Sequence, residues 1–159
     1  MNMPNVFQKL NLKDQTEIVI VNAPASFEPE LAGLTGVSVL RDARATKSIT
    51  FAIAFAIKQK EVDAAAKALT AKASGDAVIW FAYPKGSSKK YTCEFNRDTG
   101  WAALAAAGYE PVRQVAIDED WSALRFRKVE HIKTMTRSFA ATEAGRAKAK
   151  SEKNRRKSA

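Results

Sequence analysis

The chain has 159 residues, 46% apolar and 27% charged, which suits one domain with a buried core and an appendage. Cys93 and His131 are its only cysteine and histidine, which excludes an internal disulfide and a zinc site of the usual Cys/His kind. The net charge of +9 is uneven: residues 128–159 carry ten Lys/Arg against three Glu, and residues 1–127 carry sixteen against fourteen acids.

Residues 4–12 place Val6, Phe7 and Leu10 at helical spacing. Glu17–Val21 is a β-branched run with almost no alternation, as expected of a strand buried on both faces of a parallel sheet. It ends at Asn22-Ala-Pro24. Ser26 is then positioned to cap a short helix with Pro29 in its first turn, closed by Gly33 and Gly36. Residues 37–41 and 49–53 read as the second and third strands, joined by a polar loop too short for an ordinary helical crossover. From 58 to 73, Val62, Ala65, Ala66, Leu69 and Ala73 form one apolar stripe, with Lys60, Glu61, Lys67 and Lys72 mostly turned to water and Gly75 as C-cap. Residues 77–83 form a very apolar fourth strand halted by Pro84, and 99–107 a further helix ended by Gly108.

Residues 112–117 and 121–127 are separated only by three acids, so they form an antiparallel hairpin. On its second strand Leu124 and Phe126 share one face, Arg125 and Arg127 the other. The expected fold is α/β, a three-layer, Rossmann-like, mostly parallel sheet with a C-terminal antiparallel hairpin. The domain spans 1–140, with a basic tail from 141 to 159. No apolar run reaches the roughly 18–20 residues of a membrane helix, and no secretory signal opens the chain, so a cytoplasmic location is expected.

Open α/β sheets bind ligands beyond the carboxyl ends of their strands. Asn22 to Ser26, after the first strand, lack the glycines with which a dinucleotide turn lets backbone approach phosphate, so no standard nucleotide cofactor is expected. Asp42 stands where a ribose-binding acid often lies, but without the glycine turn it reads as an ordinary loop residue. Lys85, Ser87, Ser88 and Lys89 follow the fourth strand and could cradle an anion, or form a solvated lysine loop. Cys93 has no histidine near it in sequence, and the Asp118–Asp120 acids read as a solvated turn, so no catalytic residue and no metal site are expected. In the tail, Arg146, Lys148, Lys150, Lys153, Arg155, Arg156 and Lys157 could neutralise phosphates without stacking on bases, or serve only for solubility.

Trp80-Phe-Ala-Tyr-Pro-Lys85 and Asp118-Glu-Asp-Trp-Ser-Ala-Leu124 resemble stretches of a bacterial domain-of-unknown-function family of small Rossmann-like proteins. The resemblance covers residues 6–127 and leaves the tail unmatched. It implies the fold and the domain boundary, and no activity. Three readings follow. The first is a non-enzymatic module binding a small anionic ligand or a protein partner at Asn22–Ser26 and the Lys85 loop. The second is a nucleic-acid-associated protein acting through its tail. The third is a methyltransferase-like enzyme with a degenerate cofactor loop.

Overall fold

A computed structural model describes residues 5–96 and 98–132. In chain order these form α1 (Asn5–Lys9), β1 (Glu17–Val21), α2 (Glu28–Ala32), β2 (Ser38–Leu40), β3 (Ile49–Phe55), α3 (Gln59–Thr70), β4 (Ala73–Pro84), α4 (Ala102–Ala106), β5 (Tyr109–Ala116) and β6 (Trp121–Lys128). One six-stranded sheet runs β2-β1-β3-β4-β6-β5, parallel from β2 to β4 and antiparallel at both ladders of β6. The mostly parallel α/β sheet with a terminal antiparallel hairpin is therefore as expected. The hairpin's second strand, rather than its first, adjoins β4.

Two apolar layers sandwich the sheet. Alternation along β3 sends Phe51, Ile53 and Phe55 toward α1 and α2, where they meet Phe7, Leu10, Phe27 and Leu31. The same alternation sends Ala52 and Ala54 toward α3, whose Val62, Ala66 and Leu69 close over these small residues. Trp80 of β4 is fully buried on the α1 side, and its indole N–H donates to the Leu10 carbonyl at 2.7 Å. That bond ties the end of α1 to the middle of the sheet and satisfies a donor that burial would otherwise orphan.

The short connection between β2 and β3 is real. Residues 41–48 contain one 3₁₀ turn, Ala43–Ala45, capped by Asp42, whose Oδ1 accepts from the Arg44 amide at 2.9 Å. It suffices because β2 has only three residues, about 10 Å of rise, and stepping over β1 moves the chain about 10 Å sideways. Eight extended residues reach about 26 Å. Lys72 pins this crossover, donating from Nζ to the carbonyls of Ala43 at 2.8 Å and Thr46 at 2.7 Å. Lys72 is therefore not turned to water; the helical stripe ends earlier than the sequence pattern suggests.

Three further local expectations are corrected. Ser26 caps nothing: it lies inside a 3₁₀ turn, Ala25–Phe27, and the residue before α2 is Phe27, with no side-chain cap. Gly75 is not a C-cap, since α3 ends at Thr70 with Ala71 as its cap and β4 has begun by Ala73. Instead, Ile49 pairs with Ala73 while Phe51 pairs with Val78, so β4 bulges between them, and Gly75 supplies a φ of +59° within that bulge. The fourth helix is shorter than its alanine run, starting at Ala102 rather than residue 99. Among the described residues no helix is long and apolar enough to cross a membrane.

Candidate functional site

β1 leads through α2 to β2 on one side, while β3 leads through α3 to β4 on the other. The strand order therefore reverses between β1 and β3, and a crevice is expected beyond their carboxyl ends. A cleft of about 650 Å³ opens beside this point. Its strand side is Val21 and Asn22 at the end of β1, and the crossover contributes Arg41, Asp42 and Ala43. Its helical wall is the alanine face of α3, Ala64, Ala65 and Ala68, with Lys60 and Glu61 near the helix start. Two local choices create the space. A single 3₁₀ turn stands where a full crossover helix would cover β1, and the facing turns of α3 carry methyl groups only.

Asn22 takes a left-handed conformation with φ +57°, a role that asparagine fills more readily than most non-glycine residues. It turns the chain at the end of β1 without glycine, and it lies exposed on the cleft rim. Asp42 is also exposed. Its Oδ2 accepts from Arg44 Nη2 at 2.7 Å and Nε at 3.0 Å. These side-chain bonds, with the Arg44 amide, hold its carboxyl at a pKa of about 2. Arg41 is engaged by Glu28 through two 2.7 Å bonds, which lower the Glu28 pKa and raise that of Arg41.

The start of α3 is furnished with carboxylates of its own. Glu61 Oε1 accepts from the amides of Ile57 at 3.0 Å and Lys58 at 2.9 Å, and Glu94 Oε1 accepts from the Gln59 amide at 2.8 Å. The helix end that could have drawn an anion is thus already complemented by protein acids. The cleft offers an apolar wall and hydrogen-bonding groups at its mouth, a combination suited to a flat, polar-edged ligand.

Of the residues singled out by sequence, the cleft takes Asn22 and Asp42 but not Ser26, Lys85, Ser87, Ser88 or Lys89. The loop after β4 folds onto the hairpin instead. The Lys85 amide donates to the Asp120 carbonyl at 2.8 Å, and the Ser88 hydroxyl donates to Asp120 Oδ1 at 2.8 Å. The Ser88 oxygen also accepts from the amides of Lys90 and Tyr91, both at 3.2 Å. An anion at the Ser88 hydroxyl would have to displace a carboxylate. Ser26, Ser87 and Lys89 are exposed. Arg146, Lys148, Lys150, Lys153, Arg155, Arg156 and Lys157 lie outside the described residues.

Cys93 packs half-buried against the α3 layer, and burial raises its thiol pKa, the reverse of nucleophile activation. Asp118 is structural: its Oδ1 accepts from the amides of Asp120 at 2.8 Å and Trp121 at 2.9 Å. Two groups went unremarked in the sequence, the buried and unpartnered Trp121 Nε1 and Arg125 Nε. Only their placement opposite buried partners reveals them. No group of three His, Cys, Asp or Glu side chains among the described residues could hold a metal ion.

No family model matches the chain, and no curated protein matches it in sequence. Among solved structures, a SAM-dependent methyltransferase from Aquifex aeolicus superposes with a TM-score of 0.55 at 14% identity, over 79% of this chain and 88% of that one. The fold is Rossmann-like. The N-methyltransferase NodS from Bradyrhizobium japonicum WM9 follows at 0.49 and 11% identity, over 78% and 94% of the two chains. At these identities the likeness describes the backbone and says nothing of the residues in the cleft.

Proposed function

We propose that this chain is a methyltransferase-like Rossmann domain that binds a nucleoside-bearing ligand of the S-adenosylmethionine type in the cleft between β1, the crossover and α3. The observation that carries this reading is the position of the cleft beside the strand-order reversal, with a carboxylate just past β2 at its mouth. The volume suits a ligand of this size, since small-molecule sites run from about 300 to 1,000 Å³. The alanine wall accepts a flat base. Asp42 retains acceptor capacity on Oδ1, which takes one bond from the Arg44 amide, so ribose hydroxyls can donate to it. The left-handed Asn22 opens the turn over β1 that glycine usually opens.

The absence of a catalytic dyad in the cleft does not count against this reading. A sulfonium cofactor brings its own electrophilic methyl group when bound. The chain's contribution is then to bind, orient and exclude water, functions that need shape rather than a titrating pair.

Isothermal titration of the full chain with S-adenosylmethionine, S-adenosylhomocysteine and adenosine tests the proposal. Binding by at least one of these is expected, with a loss of tenfold or more in Ala64→Phe, which fills the cleft from an exposed helix position, and a smaller loss in Asp42→Asn. No heat with any of the three at millimolar concentration refutes it. Equal binding by wild type and Ala64→Phe would place the ligand elsewhere and refute the site.

A further inference from the structure

Four charged side chains line the cleft: Arg41, Asp42, Lys60 and Glu61. Three of them are already committed. Arg41 gives both terminal nitrogens to Glu28, Nη1 to Oε2 and Nη2 to Oε1, each at 2.7 Å. Asp42 holds the Arg44 guanidinium on Oδ2 and the Arg44 amide on Oδ1. Glu61 is turned back onto the Ile57 and Lys58 amides. Lys60 alone among the four has no hydrogen bond or ion pair with any described residue. The other acids near it are engaged as well. Asp63, one turn on, accepts from the Gln59 side-chain amide at 3.0 Å and does not line the cleft, and Glu94 accepts from the Gln59 backbone amide at 2.8 Å.

Two registers place Lys60 in the cleft. Val21 pairs with Ala54, and α3 starts four residues after β3 ends, so Lys60 and Asn22 share the strand-end mouth. Lys60, Ala64 and Ala68 are spaced by four along α3 and form one row, about 12 Å from first to last. Asp42 belongs to the crossover wall instead. A ligand with its base on the alanines and its ribose at Asp42 therefore meets an ammonium at the strand end, a group with three donors and no acceptor. The first amides of α3 are taken by Glu61 and Glu94, and Arg41 is taken by Glu28, so an anionic arm finds one free partner there. With the Glu61 carboxylate in the same turn, Lys60 offers a directed donor rather than a broad positive field.

We infer that Lys60 selects the ligand: the cleft takes a nucleoside whose 5′ arm ends in a carboxylate or phosphate, and Lys60 Nζ holds that anion. The inference rests on the reading of the cleft as a nucleoside site. The test is isothermal titration of the full chain with S-adenosylhomocysteine, which carries a carboxylate, AMP, which carries a phosphate, and adenosine, which carries neither. At least one anionic ligand should bind about five- to tenfold more tightly than adenosine, as one charge-assisted contact at a solvated mouth provides. The preference should shrink between about 20 and 200 mM salt. Lys60→Met should remove it while leaving adenosine within about twofold, and Lys60→Glu should reverse it. Lys60 is exposed in the first turn of α3, so neither change disturbs the core. Lys67→Met, exposed on α3 but away from the cleft, should keep the preference.

A preference for S-adenosylhomocysteine alone identifies the carboxylate as the anion, and one for AMP alone the phosphate. Adenosine bound as tightly as both anionic ligands, or a preference unchanged in Lys60→Met, overturns the inference and leaves the nucleoside site standing. Equal losses for adenosine and the anionic ligands in Lys60→Met assign Lys60 to packing and overturn it too. No binding by any of the three refutes the nucleoside site and the inference together.

Discussion

Replacing Lys72 by Met tests whether one side chain holds the unusually short crossover in place. The Nζ of Lys72 donates to Ala43 at 2.8 Å and Thr46 at 2.7 Å, the two carbonyls that bracket the 3₁₀ turn. Hydrogen bonds from a charged donor contribute about 1.5–3 kcal/mol each. These are only partly buried, and water recovers part of each when the donor goes, so both together are worth about 2 kcal/mol. For a domain of this size that corresponds to a fall in Tm of about 8 °C. Methionine keeps most of the apolar stem, so the loss reads the bonds rather than the packing. Urea unfolding followed by tryptophan fluorescence gives the free energy, and amide exchange at Ala45 and Thr46, which donate to Asp42 and Ala43, reports the crossover itself. Lys67→Met, on the exposed side of α3, is the control and should stay within about 0.5 kcal/mol. A Lys72→Met protein as stable as this control, with exchange at Ala45 and Thr46 unchanged, would refute the reasoning.

Trp80→Phe should cost about 2–4 kcal/mol, because it leaves the Leu10 carbonyl unpaired in the core and opens a small cavity; calorimetry measures it, and a loss under 1 kcal/mol would contradict the anchoring of α1. Gly100→Ala should cost more than about 2 kcal/mol, since a Cβ there would sit 2.6 Å from the Phe95 Cβ and 2.8 Å from the Gln59 Oε1 at a φ of +95°, whereas Gly75→Ala, with φ +59° and open space, should cost about 1 kcal/mol. Urea denaturation of the two variants side by side checks the order. Asp42 titrates at about 2, below its ordinary range, because of its side-chain bonds to Arg44. The sign follows: its pairing with Arg44 is fully present above about pH 4 and is lost as pH falls through 2. A carbon-detected NMR titration should find that midpoint, and affinity for a cleft ligand should not change between pH 5 and 8 on account of this group.

The class of fold was legible because its signals are local. Glu17–Val21 reads as a doubly buried strand, and three acids between two strands permit only a hairpin. Strand order was not legible: β6 lies inside the sheet, buried along most of its length, and β5 takes the more exposed edge, a choice made by packing between elements distant in sequence. The same holds for Lys72 and Gly75, where tertiary bonds overrode a helical pattern that would have carried α3 through residue 73. Asp42, which the local pattern marks as an ordinary loop residue, lines the cleft. The missing glycines argue against a pyrophosphate at β1, but they do not bear on a cleft whose wall is α3.

The missing glycine turn and the missing crossover helix belong together. In a doubly wound sheet the chain between β2 and β3 normally fills the space over β1 with a helix, and ligands are left to the narrow gap at the strand ends, where glycine is needed for close approach. Here the crossover is a single 3₁₀ turn pinned by Lys72, and α3 presents Ala64, Ala65 and Ala68 toward the space that results. On the reading proposed above, a ligand lies beside β1 rather than only above it, next to an exposed, left-handed Asn22 at the strand end. The crossover that first looked too short for the fold is thus what opens the cleft, and any change that lengthens or loosens it should act on binding as well as on stability.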